Sequence, residues 1–368
     1  MLNRCQKLAL SMPEGFEAAL VTTVANRFYF LDFDADDAGT LLIFPDESIF
    51  LIDSRYIEVA GRTAKNARVV EEHDGLAQVR ELLAKRGVKR LYAEEAVSVA
   101  YAGRLRAALP DVEVDLSPVL SQAIRALRVI KEPEEIERMK QAQKLTDDCF
   151  TYICGKIRPG VREIDLALEM EVFMRSRGAG ALAFPIIFVS GPKTSMPHGE
   201  PGDKVIEQGD LVTMDYGAKW GGYCADMTRT VAVGGLNAEM ERVYDTVLRA
   251  QLACCKAIKA GMTGREVDAI AREIIDGAGY AGRFGHGLGP VSYTHLSSAT
   301  QVKALADEVE YQLGQAGVKP LRREGMDARN WILLDYGTVI VHVFYPETRD
   351  FYDLEHLWAD ATPVEIEL

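Results

Sequence analysis

Pro133 separates two stretches of different texture, and that change constrains the fold of this chain more than any other feature of it. Upstream, between Glu17 and about Val119, short β-rich runs at 18–30, 40–44, 48–53 and 90–93 alternate with helical stretches such as 75–86. That alternation predicts an α/β domain in which helices pack on a sheet. Downstream, Ile136, Met139, Ala142, Leu145 and Cys149 recur at helical spacing. Pro133 suits the first turn of that helix, where an amide has no intrahelical bond to lose. A second domain therefore starts here. The 368 residues, 48% hydrophobic and 26% charged, suffice for two or three cores.

Within the second stretch, Gly160-Val161-Arg162-Glu163-Ile164-Asp165 opens one helix, and the run from Gly261 through Thr263, Glu266 and Asp268 opens another about a hundred residues later. The echo suggests an internal duplication, although capped helices often look alike. Thr263 and Glu266 form a capping box, each satisfying a backbone N–H that the first turn leaves unpaired. The first copy continues into a strand at 184–190 and a hairpin at 211–234. The second reaches Phe284-Gly285-His286-Gly287-Leu288-Gly289 and stops.

The hairpin carries the most informative chemistry. With its turn centred between Trp220 and Gly221, Asp215 and Asp226 are equidistant from it and face each other across two antiparallel strands, Cβ atoms about 4.5–5.5 Å apart. Two carboxylates so close repel, and apolar surroundings solvate them poorly, so they need a proton, a basic partner or metal. Two divalent ions about 3.5–4 Å apart would compensate them and activate a water. The other reading is a solvated hairpin with Asp215 supporting its own backbone and Asp226 pairing Arg229. His198 and His286, both beside glycine on loops, favour the chemical reading, because core packing explains them poorly.

Net charge and cysteine usage set the context. With 55 acidic against 42 basic residues the net charge is -13, which argues against nucleic acid or anionic membrane as a partner. No apolar run approaches the roughly 18 residues of a spanning helix, and Arg4, Lys7 and Pro13 break the opening stretch, unlike a secretory leader. Six cysteines without a C-x-x-C pair read as reduced thiols, with Cys254 and Cys255 on different helix faces. A cytoplasmic protein is expected.

Together, Met196-Pro197-His198-Gly199, Met214-Asp215-Tyr216-Gly217, the run Gly222 through Asp226 to Thr230, and Phe284-Gly285-His286-Gly287-Leu288-Gly289 resemble the Xaa-Pro aminopeptidase and prolidase branch of the pita-bread metallopeptidases. The resemblance extends over residues 1–289 and includes an N-terminal domain like that of creatinase. It implies a creatinase-like α/β domain at 1–125 and a truncated pita-bread domain at 126–289. It also implies two divalent ions, commonly manganese, cobalt or zinc, held by two Asp, one His and two Glu. A metal-bridged hydroxide would attack the bond before proline in a peptide with proline at its second position. Carried over by residue, Asp215 and Asp226 are the metal aspartates, His198 assists the substrate amide or transition state, and His286 opens the family's His-Gly-x-x-His run. The departure lies four residues after His286, where the metal-binding histidine should stand and this chain has Pro290. The two glutamate ligands belong to later strands whose surroundings nothing after residue 290 resembles. With three of five ligands missing, stable metal binding and peptidase activity are expected to be lost.

Beyond the junction at 290–296, the pattern changes again. A helix with Val302, Leu305, Val309 and Leu313 on one face, strands at 330–334 and 338–344, and a last helix with Phe351, Leu354, Leu357 and Trp358 are expected. Residues 297–368 look like part of the ribosomal silencing factor (Iojap-like) family. That resemblance implies a partial α/β fold that binds large-subunit ribosomal protein fourteen and represses translation by blocking subunit joining. The family's first helix and opening strands have no counterpart. Asp335-Tyr336-Gly337 reads as a turn rather than a second metal site, His342 as a strand-face residue, and Trp331 and Trp358 as core or contact aromatics. Two families, one lacking its end and the other its beginning, meet here, so a chimeric reading frame is expected. Three functions follow: an inactive peptidase-like chimera, a ribosomal silencing factor, or an active Xaa-Pro metalloaminopeptidase.

Overall fold

Asn3 caps α1 (Arg4–Ser11) by exchanging hydrogen bonds with Gln6, and the chain then enters a six-stranded mixed sheet. The computed structural model describes residues 2–285, 287–288, 319–320, 322–324, 331–335 and 340–344. The sheet is made of β1 (Ala18–Val21), β2 (Thr40–Ile43), β3 (Ser48–Ile52), β4 (Arg68–Glu71), β5 (Arg90–Ala93) and β6 (Glu113–Asp115), in the order β4-β3-β2-β1-β5-β6. The β1–β2 and β2–β3 pairs are antiparallel and the rest parallel. Ala19, Val21, Leu41 and Ile43 pack on one face with Leu8, Leu120 and Ile124, while Ala18, Leu20, Leu42 and Leu51 pack on the other with Val79, Leu83 and Leu105. Burial on both faces is why these strands read as continuous apolar runs. The intervening helices are α2 (Val24–Leu31), α3 (Ile57–Thr63), α4 (Gly75–Lys85), α5 (Val99–Ala108) and α6 (Val119–Val129).

The expected strand at 18–30 is not one element: it stops at Val21 and becomes α2. A distant carboxylate decides this. Glu94 is buried and accepts hydrogen bonds from the Thr22 and Thr23 amides at 2.6 and 2.7 Å and from the Asn26 side chain at 2.5 Å. Those amides are then lost to any sheet ladder, and the chain turns out of the plane.

Next come α7 (Pro133–Cys154) and α8 (Glu163–Ser176). The core face of α7 holds Ala142, Leu145, Cys149 and Ile153, but Ile136 and Met139, expected on that face, are exposed. The first turns instead bury Glu135, whose carboxylate accepts from the Tyr223 hydroxyl at 2.6 Å. Pro185 shortens the strand expected at 184–190 to β8 (Ile187–Ser190), and an unexpected short strand, β7 (Ala181–Leu182), precedes it. The hairpin forms as β9 (Leu211–Tyr216), β10 (Ala218–Trp220), β11 (Tyr223–Cys224) and β12 (Met227–Ala232). These strands make two three-stranded sheets, β12-β9-β8 and β11-β10-β7. The α7–α8 pair covers one face, packing on Phe188, Val212, Met214 and Tyr216.

The chain falls into two compact units, Met1–Glu241 and Arg242–Leu368. Helix α9 (Ala238–Ala257) leads into the second, where α10 (Gly264–Ile275) begins with the expected Thr263–Glu266 box. Ala250, Cys254, Val267 and Ala271 form a small core. Cys254 is buried and Cys255 exposed, as their adjacency on a helix requires, and all six thiols are free. Strands β13 (Arg322–Glu324), β14 (Trp331–Asp335) and β15 (Ile340–Phe344) form an antiparallel sheet in that order. Two of these were expected, with slightly different ends; β13 was not. The expected helices beginning near 301 and 351, the junction 290–296, the turn at Tyr336-Gly337 and Trp358 lie outside the described residues. No helix among the described residues is long and apolar enough to cross a membrane.

Candidate functional site

Strand β9 alternates strictly. Val212, Met214 and Tyr216 are buried under α7 and α8, so Leu211, Thr213 and Asp215 project from the opposite face. Thr146 on α7 pins the strand: its carbonyl oxygen accepts from the Tyr216 hydroxyl and its hydroxyl from the Ala218 amide, both at 3.1 Å. Asp215 is thereby fixed on the central strand, between Ile187 of β8 and Thr228 of β12.

The register corrects one expectation. Asp215 faces Thr228, Lys219 faces Cys224 and Trp220 faces Tyr223, so the turn is centred between Gly221 and Gly222. Both glycines have positive φ, 53° and 83°, which a tight hairpin demands and which masks the true centre in the sequence. Asp226 therefore lies two residues before Asp215's partner and is its diagonal neighbour, not its opposite. An error of two residues leaves both side chains on one face, whereas an error of one would have parted them.

Around the pair, Asp226 is exposed while one oxygen of Asp215, Oδ1, is buried and accepts no hydrogen bond from the described residues. Burial, and then the nearby charge of Asp226, push the Asp215 carboxyl above its ordinary range, against the opposing pull of the Thr228 hydroxyl and His198. His198 sits exposed on the loop after the Gly191–Ser195 turn. Asp226 and His198 thus lie near enough to act on the charge of Asp215; His286 and Pro290 lie outside the described residues. Arg229 donates to the Thr228 carbonyl oxygen at 2.9 Å rather than serving Asp226. The threonine ladder on the same face, with Thr213 and Thr230 hydroxyls 3.1 Å apart, went unnoticed in the sequence. Its signal was there, in the polar alternates of 211–216 and 227–232.

The chemistry of this site is that of a carboxylate pair awaiting a positive partner. The unpartnered Asp215 oxygen suits a proton or one cation. A dinuclear centre demands more: among the described residues no group of three or more His, Cys, Asp and Glu side chains converges. The described donors do not fit two ions.

Comparison with known proteins bears on both regions. Residues 137–309 match metallopeptidase family M24, residues 4–130 the creatinase/prolidase N-terminal domain, and residues 296–368 the family "ribosomal silencing factor during starvation". The uncharacterized peptidase YqhT of Bacillus subtilis is 39% identical over 277 residues, 75% of this chain and 77% of that protein. An Xaa-Pro dipeptidase of Pyrococcus furiosus is 32% identical over 290 residues, 78% of this chain and 81% of its own. Among solved structures, an Xaa-Pro dipeptidase from Bacillus anthracis matches with a TM-score of 0.72 and 37% identity, over 77% of this chain and 79% of its own. An X-Pro aminopeptidase from Thermotoga maritima matches with 0.70 and 32%, over 76% and 79%.

Proposed function

This chain belongs to metallopeptidase family M24 and carries a creatinase/prolidase N-terminal domain, and from that premise we propose that it is an Xaa-Pro peptidase-type protein whose metal centre is left incomplete. The observation that carries the reading is Pro290: a side chain without a donor atom, four residues after His286, stands where the family pattern needs a histidine. Asp215 and Asp226 keep their metal-ligand positions and His198 its place beside a substrate amide. Hydrolysis of the bond before proline is nevertheless lost, because two carboxylates do not hold a metal-bridged nucleophile.

The test is thermal unfolding with and without Mn²⁺, Co²⁺ or Zn²⁺, alongside hydrolysis of an Xaa-Pro dipeptide. A cation present at a hundred times its Kd would add about 2.7 kcal/mol; essentially no gain and no released N-terminal residue are expected. Asp226→Asn sharpens the test. Burial, and after it repulsion from Asp226, raises the folded-state pKa of Asp215, so its charge costs stability at neutral pH and that cost is relieved as pH falls through the raised value. The variant should therefore be more stable than the parent at pH 7, by up to about 1 kcal/mol, with the gain fading in acid. Metal-dependent stabilisation that Asp226→Asn abolishes, together with peptide cleavage, would sink the reading.

A second reading rests on residues 296–368 and their match to the ribosomal silencing factor family. On it, the two matches, which overlap at 296–309, mark the join of a chimeric reading frame, and the tail docks on the large ribosomal subunit and opposes subunit joining. Co-sedimentation of the full chain with purified large subunits is the expected result; a chain left wholly in the supernatant would remove this reading and leave the first untouched.

A further inference from the structure

Glu163 stands at the start of α8, fully buried. Its Oε1 accepts from the Ser190 amide at 2.7 Å and the Ser190 hydroxyl at 2.8 Å. Its Oε2 accepts from Lys193 Nζ at 2.6 Å and the Gly202 amide at 3.3 Å. Lys193 reaches on to the Glu200 carbonyl oxygen at 2.9 Å. One carboxylate therefore holds both ends of the segment 190–202, and the ammonium it binds braces the segment across its middle. His198 lies inside that closed ring, between Lys193 and Glu200. Gly199 seals it: a Cβ there would lie 2.9 Å from the Val189 side chain of β8.

We infer that Glu163, acting through Lys193, is the positioning residue that holds the His198 loop beside Asp215. The chemistry is coherent. Burial alone would raise a carboxyl, yet Lys193, Ser190 and Gly202 together hold that of Glu163 below its ordinary range, so it stays a charged acceptor. The first turn of α8 adds a favourable dipole. A buried carboxylate deprived of its donors is costly, so this charge favours the segment in the arrangement that supplies them. The role rests on the peptidase-type reading only in what His198 faces; the clamp itself does not depend on metal.

Hydrogen exchange and histidine NMR on the full chain test it. In Glu163→Gln, which keeps the shape but loses the charge, amides of 193–202 should exchange about tenfold faster or more, the effect of losing one charge-assisted bond. The His198 ring signal, assigned with His198→Asn, should move toward that of an unconstrained histidine. Exchange in α8, β8 and β9 should stay near the parental rate. Lys193→Met should reproduce both changes while sparing the Ser190 end, and decides the matter alone should Glu163→Gln not fold. Faster exchange spread evenly through α8 and β8, or an unmoved His198 signal, overturns the assignment. Neither readout uses metal or substrate, so failure here and failure of the peptidase reading are separable.

Discussion

A single methyl group on Gly217 is expected to cost about 3 kcal/mol, the upper end of the overpacking range. Gly217 lies between β9 and β10, directly after the Asp215-Tyr216 pair, and is buried. A Cβ built there falls 1.8 Å from the Ala225 carbonyl oxygen and 2.6 Å from its carbon, with the Ala183 Cβ at 3.2 Å. The obstacle is backbone of the link between β11 and β12 that carries Asp226, and backbone cannot swing away as a long side chain can. Thr146 holds the near strand from beneath, through Tyr216 and Ala218, so relief comes only by parting the hairpin. Gly217→Ala should lower the melting temperature by about 6–12 °C and separate the two carboxylates. Gly61→Ala is the control: it sits inside α3 with no described atom within 4 Å of the new Cβ, and should stabilise by about 0.5–1 kcal/mol through helix propensity. A Gly217→Ala protein that melts with the parent would show that the close approach is not real.

Arg138→Ala should be nearly as harmful, at about 2 kcal/mol, between the worth of an exposed ion pair and the cost of breaking a buried one. Arg138 lies on α7 and grips Asp32 with two guanidinium nitrogens, one contact at 2.9 Å, and also donates to Glu134 and to the Gly221 carbonyl oxygen at 3.1 Å. Asp32 closes α2 in the left-handed conformation, φ 50°, so the arginine ties the end of an N-terminal helix to the tip of the carboxylate hairpin. Gly222 completes the joint, since a Cβ there would lie 1.9 Å from the Phe28 ring. The Arg138 and Lys65 partners pull the Asp32 carboxyl from 3.8 to about 2. Because the folded value is the lower one, the stabilisation is whole above pH 4 and drains away as pH falls toward 2. The melting difference between parent and Arg138→Ala should accordingly be constant near neutrality and close in that acid window. A cycle with Asp32→Asn gives the coupling directly; strictly additive losses would mean that the two residues act apart.

Much of the arrangement of the hairpin was readable in the sequence. The two aspartates pointed to one face of one hairpin and the glycine-flanked His198 to a loop near it, and period-two geometry kept the first conclusion safe from a turn misplaced by one position. The register itself was not readable, because Trp220-Gly221-Gly222 offers two equally plausible centres and only packing against Phe28 and Arg138 selects between them. The run 18–30 misled for a similar reason: its residues suit a strand, and the carboxylate that diverts them is some seventy positions away.

The sequence by itself marked which residues are candidates for chemistry, a change of texture near Pro133, and that position 290 offers no ligand, since these follow from residue type and local period. Only the tertiary structure decided the true partner of Asp215, the hold of Thr146 and Arg138 on the hairpin, and the clamp of Glu163 on the His198 loop. Each of those is a contact between residues far apart in the chain, and its energy depends on burial and approach distance, which no local pattern encodes.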